Sequence, residues 1–446
     1  MRIAVIGSGI AGMGSAWLLS QKYDVTLFEK DSRIGGHAHT VDVKVKGQPV
    51  SVDTGFIVYN TLNYPNLMGL FDAMNVETID SDMSFAASIN GGACEYEGSL
   101  KGLVAQPSNL LKPRYWQMIS GLVRFYRTAV HEVKKGPAGE SLADYITRTG
   151  LNEAFVEDHL LPMAAAIWSC PEEEMMRFPA RSFIKFMENH RLLDFTGRPV
   201  WRTVKGGSRG YVTKIKQALA GKIHTQTDIT GLRREAGGVM ISIKGEGDVW
   251  FDKVVMAAHA DQSLKLISDA SDDEKAILGA FDFQPNQVYL HGDHALMPKR
   301  TSVWASWNYL SGYGAPTRTR AGLDDLCVSY WMNKLQSIPN ELPLFVTLNP
   351  PQPPKTELIY GSYAYDHPVF DQKAIDGQQK LPSIQGKNGL FFAGAWTRYG
   401  FHEDGLASAV AIAKTLGVEP SWQSPTTGYQ PVSDQMDAPL TAELPH

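Results

Sequence analysis

Gly7, Gly9 and Gly12 constrain this chain more than any other residues: they form a Gly-x-Gly-x-x-Gly turn, with Ile10 and Ala11 inside it, between the apolar run Ile3-Ala4-Val5-Ile6 and a helical pattern from Met13 to Lys22. In such a βαβ unit the first glycine permits a sharp turn, the second lets the backbone approach a pyrophosphate, and the third lets helix and sheet pack closely. The helix N-terminus then faces the phosphate charge. A second strand, Val25-Thr26-Leu27-Phe28, closes on Glu29, and an acidic residue about 20 residues past the turn is where a carboxylate binds ribose hydroxyls. The predicted ligand is a dinucleotide.

The 446 residues, 43% of them apolar, exceed the size at which a single core keeps growing, so two domains are expected. Lys and Arg total 42 against 47 Asp and Glu, a formal charge of −5. No global positive field exists to hold a nucleic acid, and none is expected as a partner. Cys94, Cys170 and Cys327 lie far apart without a CxxC pair. That leaves neither a disulfide framework nor a zinc site of ordinary spacing, fits a reducing cytoplasm, and predicts no metal. The apolar run before Gly7 is too short for a signal-peptide core, and no stretch of about 18 apolar residues is present to span a membrane.

Between Ser108 and Asn189 the pattern is long and helical, interrupted by Pro162 and Pro171, and predicts a helical insertion. From Lys222 to Ala258 short alternating runs predict a strand meander with a turn at Gly245-Glu246-Gly247-Asp248. Further strands are expected around 287–291, 302–309, 326–331, 344–348 and 359–365, rich in β-branched and aromatic residues. A last strand is predicted at Gly389–Gly394 and a closing helix from Gly405 to Leu416, followed by a proline-rich tail, 419–446, expected to be disordered.

Past the acidic residue stand Lys30, Arg33, Gly35, Gly36 and His37. The stretch resembles the ExxxRxGG segment that lines FAD in the flavin-containing amine oxidase and phytoene desaturase superfamily, with His37 where an arginine often follows the paired glycines. Phe392-Ala393-Gly394 and Gly405-Leu406-Ala407 resemble the strand and helix that close the flavin site there. Ala166-Ile167-Trp168-Ser169, Gly206-Gly207-Ser208, Ser306-Trp307-Asn308-Tyr309, Tyr330 to Gln336, Leu348-Asn349-Pro350, His367-Pro368-Val369-Phe370 and Gly400 to Gly405 are similar to one bacterial FAD-dependent family. That family is akin to the flavoprotein half of plant-type cyclopropane fatty acid synthases and includes methyl-branched fatty acyl desaturases.

The resemblance implies an α/β fold: a Rossmann-type FAD-binding domain with an inserted α+β substrate domain. The FAD-binding domain would be discontinuous (1–80, 198–275 and 384–418), with a helical part at 81–197 and a strand-rich part at 276–383 forming the substrate domain. FAD would be held noncovalently, and besides the residues above the implied lining set includes Gly55, Ile229, Ala258 and Ala395.

His402, Glu403, Asp404 and His291 are the candidate catalytic residues. His402 falls where related amine oxidases place an aromatic ring against the flavin, and an imidazole titrating near neutrality there would exchange a proton. Glu403 and Asp404 precede the last helix and equally suit cap positions. His291 should share a strand face with Tyr289, opposite Val288 and Leu290, near where amine oxidases carry a lysine that this chain lacks. Residues 101–135 hold Lys101, Lys112, Arg114, Arg124, Arg127, Lys134 and Lys135 against Glu132 alone, interleaved with Trp116, Phe125 and leucines. That pattern suits either a solvated face or peripheral membrane contact through Trp116 and Phe125.

The expected function is hydride abstraction from a fatty acyl chain, probed against three alternatives: a flavin amine oxidase, an acyl-chain isomerase, and a flavoprotein partner of a lipid methyltransferase. The expected substrate is a hydrophobic small molecule or phospholipid-borne acyl chain, and the expected location is cytoplasmic with membrane attachment as an option.

Overall fold

The computed structural model describes residues 1–197, 199–313 and 327–423. Most of the segment expected to be a disordered tail, 424–446, lies outside the described residues.

The first strand, Arg2–Ile6, sits at the centre of a five-stranded parallel sheet, flanked by Asp24–Phe28 and Lys253–Met256, with Ile223–His224 and Leu390–Phe392 at the edges. Four residues of the central strand are buried, as a strand covered on both faces requires. The helix Ile10–Leu19 covers one face and packs against the last helix, His402–Thr415. The other face carries an antiparallel meander, Ile229–Glu235, Gly238–Ile243 and Gly247–Phe251, with the predicted turn between its second and third strands.

A second layer is a seven-stranded sheet of order Ile359–Pro368, Phe283–His291, Phe345–Leu348, Cys327–Trp331, Trp307–Leu310, Phe85–Ile89 and Cys94–Glu97. The last two strands correct the reading of 81–197 as helical. They form a hairpin around Asn90 and Gly91, both at positive φ, and an Asn-Gly pair between alternating residues is the strongest local hairpin signal. Helices follow from Leu100 to Asn189 and form their own core around Phe125, Tyr145, Phe155 and Phe183, each no more than 1% exposed. Phe125 is therefore an interior residue, contrary to its expected outward position, because it meets Phe155 and Tyr145 across the bundle.

His291 shares its strand face with Tyr289, as expected: the register with Phe345–Leu348 runs unbroken, and His291 Nε2 reaches Thr347, the partner of Tyr289. The ring is fully buried there.

Candidate active site

Three glycine-bearing segments converge at the carboxyl end of the parallel sheet, where ligands bind in open α/β sheets. Gly7 holds φ of 101°, and a methyl group on it would sit 2.7 Å from the Ala257 carbonyl oxygen. On Gly12 it would sit 1.8 Å from the Gly7 carbonyl, so the helix crosses too closely for any side chain. On Gly9 it would meet nothing within 4 Å. The space above Gly9 is the cradle that a pyrophosphate fills, and the helix it opens has neither a side-chain cap nor an acidic residue in its first turn.

Ser8 joins this loop to the next. Its backbone N–H (2.9 Å) and hydroxyl (2.5 Å) donate to Glu29 Oε2, while its Oγ accepts from the Gly35 N–H at 3.1 Å. Glu29 thus stands at the strand end, its other oxygen taking the Asp31 N–H at 3.0 Å. Arg33 turns inward and donates to the carbonyls of Ile34, Gly36 and Ala38, a tie that shapes the loop presenting Gly36 to Gly9. Lys30 is exposed. Ile229 is buried in the same core cluster as Phe28, and Gly55 lies against the His37 carbonyl.

The third segment brings the closing strand. Ala258 follows Ala257 under Gly7 and accepts the Trp396 indole N–H on its carbonyl at 3.2 Å. The Gly394 N–H donates to Ser408 Oγ at 3.0 Å. Gly405 approaches Ile10, Ala11 and the Ala395 nitrogen, and Leu406 packs on Gly14. Gly405 does not open the last helix, as expected from sequence; the helix begins at His402, which places Glu403 and Asp404 in its first turn.

That placement decides the roles of the acids. Glu403 accepts from Asn66 N (3.0 Å), Asn66 Nδ2 (2.7 Å) and Leu67 N (2.9 Å), and so caps the helix Pro65–Ala73. Burial raises its pKa to about 7 against the pull of those donors. Asp404 accepts from the Phe401 N–H at 3.0 Å and is raised by burial. Both carboxylates are taken up in caps rather than presented to a substrate.

His402 stacks on Phe56 at 3.8 Å between centroids and 9° between planes, and its Nε2 lies 2.7 Å from the Tyr211 hydroxyl. Burial lowers its pKa to about 3, so the ring is neutral rather than poised near pH 7. His291 stands apart, with Nε2 2.7 Å from Thr347 Oγ1 and Nδ1 accepting the Asp293 N–H at 3.0 Å. It is engaged within the second sheet, five residues beyond Asn286 and the site-facing end of its strand.

The structure also brings to the site residues that the sequence placed only on a strand or in a motif. Tyr363, Tyr365 and His367 alternate along one strand and face the glycine loop: His37 lies 5.0 Å from Tyr365 and 5.4 Å from His367, and His39 lies 5.0 Å from Tyr363. The Tyr365 hydroxyl meets His39 Nδ1 at 2.7 Å and Thr54 Oγ1 at 2.8 Å. Asp53, buried and raised by that burial, takes the Ser208 N–H and hydroxyl, the Thr40 hydroxyl and the Gln336 amide. It pins Gly207-Ser208 and Gln336 to the loop. The period-2 Tyr-x-Tyr-x-His pattern was the available signal.

His37 replaces the usual arginine, and its Nε2 is buried without a hydrogen-bond partner among the described residues. Burial, then His367, His259 and His402, hold its pKa well below the ordinary value. An unpartnered ring nitrogen beside the open Gly9 cradle fits a bound cofactor's polar atoms. With the glycine cradle, the strand-end acid and the uncapped helix, the residues present define a dinucleotide-binding flavoprotein site.

The chain matches the family described as flavin containing amine oxidoreductase over residues 10–277, more than half its length. It belongs to that family, and its cofactor is FAD. Solved structures share the fold across 93% of this chain. They include a fatty acid isomerase from P. acnes that produces CLA (17% identity, TM-score 0.65, 98% of its chain covered) and cyclohexylamine oxidase from Brevibacterium oxydans (13%, 0.64, 99%). Reduced UDP-galactopyranose mutase is a third (14%, 0.64, 95%). Among curated proteins a sequence search finds no match.

Proposed function

We propose that this FAD-dependent oxidoreductase acts on an apolar, unsaturated or methyl-branched acyl chain rather than on an amine. The observation that carries the reading is the wall of neutral aromatic and imidazole rings against His37. Tyr363, Tyr365 and His367 line it, and burial keeps His367 at about 4 and His402 at about 3. Glu403 and Asp404, the acids nearest His402 in sequence, are spent on helix caps. A protonated amine would meet neutral imidazoles, whereas an acyl chain needs an apolar wall with few polar atoms.

FAD, when bound, supplies a hydride acceptor. The chain's own residues would orient the acyl chain against Tyr363 and Tyr365, exclude water, and accept the departing proton on a neutral imidazole nitrogen, leaving a new carbon–carbon double bond. The fold likeness to a fatty acid isomerase supports the accommodation of acyl chains by this architecture. An isomerisation returning the hydride to another carbon would use the same residues. A lipid methyltransferase partner belongs to the reading in which the flavin is redox-passive.

Anaerobic incubation of the holoprotein separates these readings. Loss of the yellow flavin absorbance with unsaturated or branched phospholipid is expected. Bleaching by primary amines alone would overturn the proposal in favour of amine oxidation, and bleaching by neither would favour the passive partner. Lipid double-bond migration without net oxidation would identify the isomerase.

A further inference from the structure

The segment from Ser99 to Trp116 has its polarity inverted. Gln106 and Asn109 are 4% and 0% exposed, whereas Leu100 and Leu111 are 87% and 86% exposed, with Trp116 at 54%, Val104 at 50% and Leu110 at 36%. This is not a loose loop. The Gln106 amide oxygen accepts the Glu95 N–H at 2.6 Å, its nitrogen donates to the Ala93 carbonyl at 3.2 Å, and Asn109 Nδ2 donates to the Glu95 carbonyl at 3.0 Å. The Tyr115 hydroxyl reaches the Leu103 carbonyl at 2.7 Å, and the Trp116 indole N–H reaches the Leu110 carbonyl at 2.9 Å. Buried polar side chains staple the segment to the edge strand Cys94–Glu97, and the apolar ones are held in water.

Exposed leucines scattered singly need no explanation, but a rigidly presented cluster with a tryptophan does. The adjoining helix, Pro113–Lys135, supplies the second observation. Its exposed residues are Pro113, Trp116, Gln117, Ser120 and His131 together with Arg114, Arg124, Arg127, Lys134 and Lys135, and no acid is among them. Glu157 and Asp158 neutralise Arg114, and half-buried Glu132 pairs with Lys135. The remaining cations run along the face beyond the apolar knob in a chain whose net charge is −5.

We infer that this surface docks on an anionic lipid bilayer, the knob of Leu100, Val104, Leu110, Leu111 and Trp116 entering the headgroup–acyl boundary while Arg124, Arg127 and Lys134 lie against phosphates. An aromatic ring with an apolar body suits that depth, and cations beside it add attraction to anionic lipid. Among the described residues no helix is long and apolar enough to cross a membrane, so contact would be peripheral. The inference holds whatever substrate the flavin site takes.

Sedimentation of the FAD-loaded protein with vesicles tests it. Binding to phosphatidylcholine vesicles containing phosphatidylglycerol is expected, weakening as salt rises. Arg124→Gln with Arg127→Gln should weaken binding about 30-fold, about fivefold per cation, and reduce the salt dependence. Leu100→Asp with Leu111→Asp should weaken it about tenfold or more at unchanged flavin content. Brominated lipid should quench part of the tryptophan fluorescence, and Trp116→Phe should abolish that quenching. Wild-type binding by the Leu100/Leu111 variant, or no vesicle binding at all, would overturn the inference. So would a dimer in analytical ultracentrifugation that this variant dissociates, because the knob would then be covered by a second copy.

Discussion

The Tyr211 hydroxyl and His402 Nε2 meet at 2.7 Å across 191 residues of sequence, and the His402 imidazole lies flat on Phe56. A hydroxyl on the helix Arg209–Ala218 thereby fixes the first turn of the last helix at the entrance to the cofactor cradle.

This geometry gives His402 a packing role. His402→Phe keeps the stack but leaves the Tyr211 hydroxyl buried without a partner, a loss of about 1–3 kcal/mol. The double variant with Tyr211→Phe removes both polar groups and should recover most of it, because paired apolar replacements of similar shape are nearly neutral. Denaturant unfolding of the two single variants and the double variant measures the coupling. Additive losses would mean that the hydrogen bond is absent.

The three glycines of the first loop should fail in different ways. At Gly9 the space above Cα is empty, so Gly9→Val should fold with native secondary structure and lose FAD. At Gly12 even a methyl group would sit 1.8 Å from a backbone oxygen, so Gly12→Ala should lower the melting temperature or abolish soluble expression before cofactor binding is in question. Absorbance ratios and circular dichroism melts distinguish the two. The wild type should release all of its FAD on acid precipitation; retained flavin would reveal a covalent link.

These contrasts explain what was legible beforehand. The demands on Gly7, Gly9 and Gly12 arise within one βαβ unit, so spacing alone reveals them, and the alternating strand Gly238–Ile243 declares itself in the same local way. The neighbourhood of His402 was also accessible from its place before the last helix. Its chemistry was not, since Phe56 and Tyr211 are distant in sequence and their enclosure removes the near-neutral titration that position alone suggests. Tyr365 and His39 are 326 residues apart; their alternation patterns are visible, but which sheet face meets which loop is settled only by how the two layers stack.

Glu403 tests whether an acid beside the flavin site is structural. Removing it takes away the acceptor of Asn66 N, Asn66 Nδ2 and Leu67 N in a buried setting. Glu403→Ala should destabilise the protein by about 3 kcal/mol, while turnover per bound flavin at low temperature stays close to native. A variant of native stability and abolished turnover would return Glu403 to the list of proton acceptors.

The buried imidazoles predict a steep loss of stability in mild acid. Burial holds His190, His291 and His367 at about 4 and His402 at about 3, and lowers His37 well below the ordinary value of 6.5. Each accepts a proton in the unfolded chain as pH falls through 6.5 and refuses it in the folded one, so the unfolded state binds more protons. Their stabilisation is therefore present above pH 6.5 and is lost as pH falls towards 4. Glu403 acts in the opposite sense, since its native carboxyl, raised from 4.5 to about 7, keeps a proton the unfolded chain releases. The imidazoles that burial lowers, His39 and His259 among them, outnumber the carboxyls it raises, Glu403, Asp53 and Asp404, so near pH 5 the unfolded chain binds more protons and stability falls with acid. Urea unfolding at pH 7.5, 6.5, 5.5 and 4.5 in low salt should show the midpoint falling most steeply between the last two steps, with His367→Phe flattening the fall by one proton's worth. A midpoint independent of pH across that window would mean that these rings open to water and titrate normally in the folded protein.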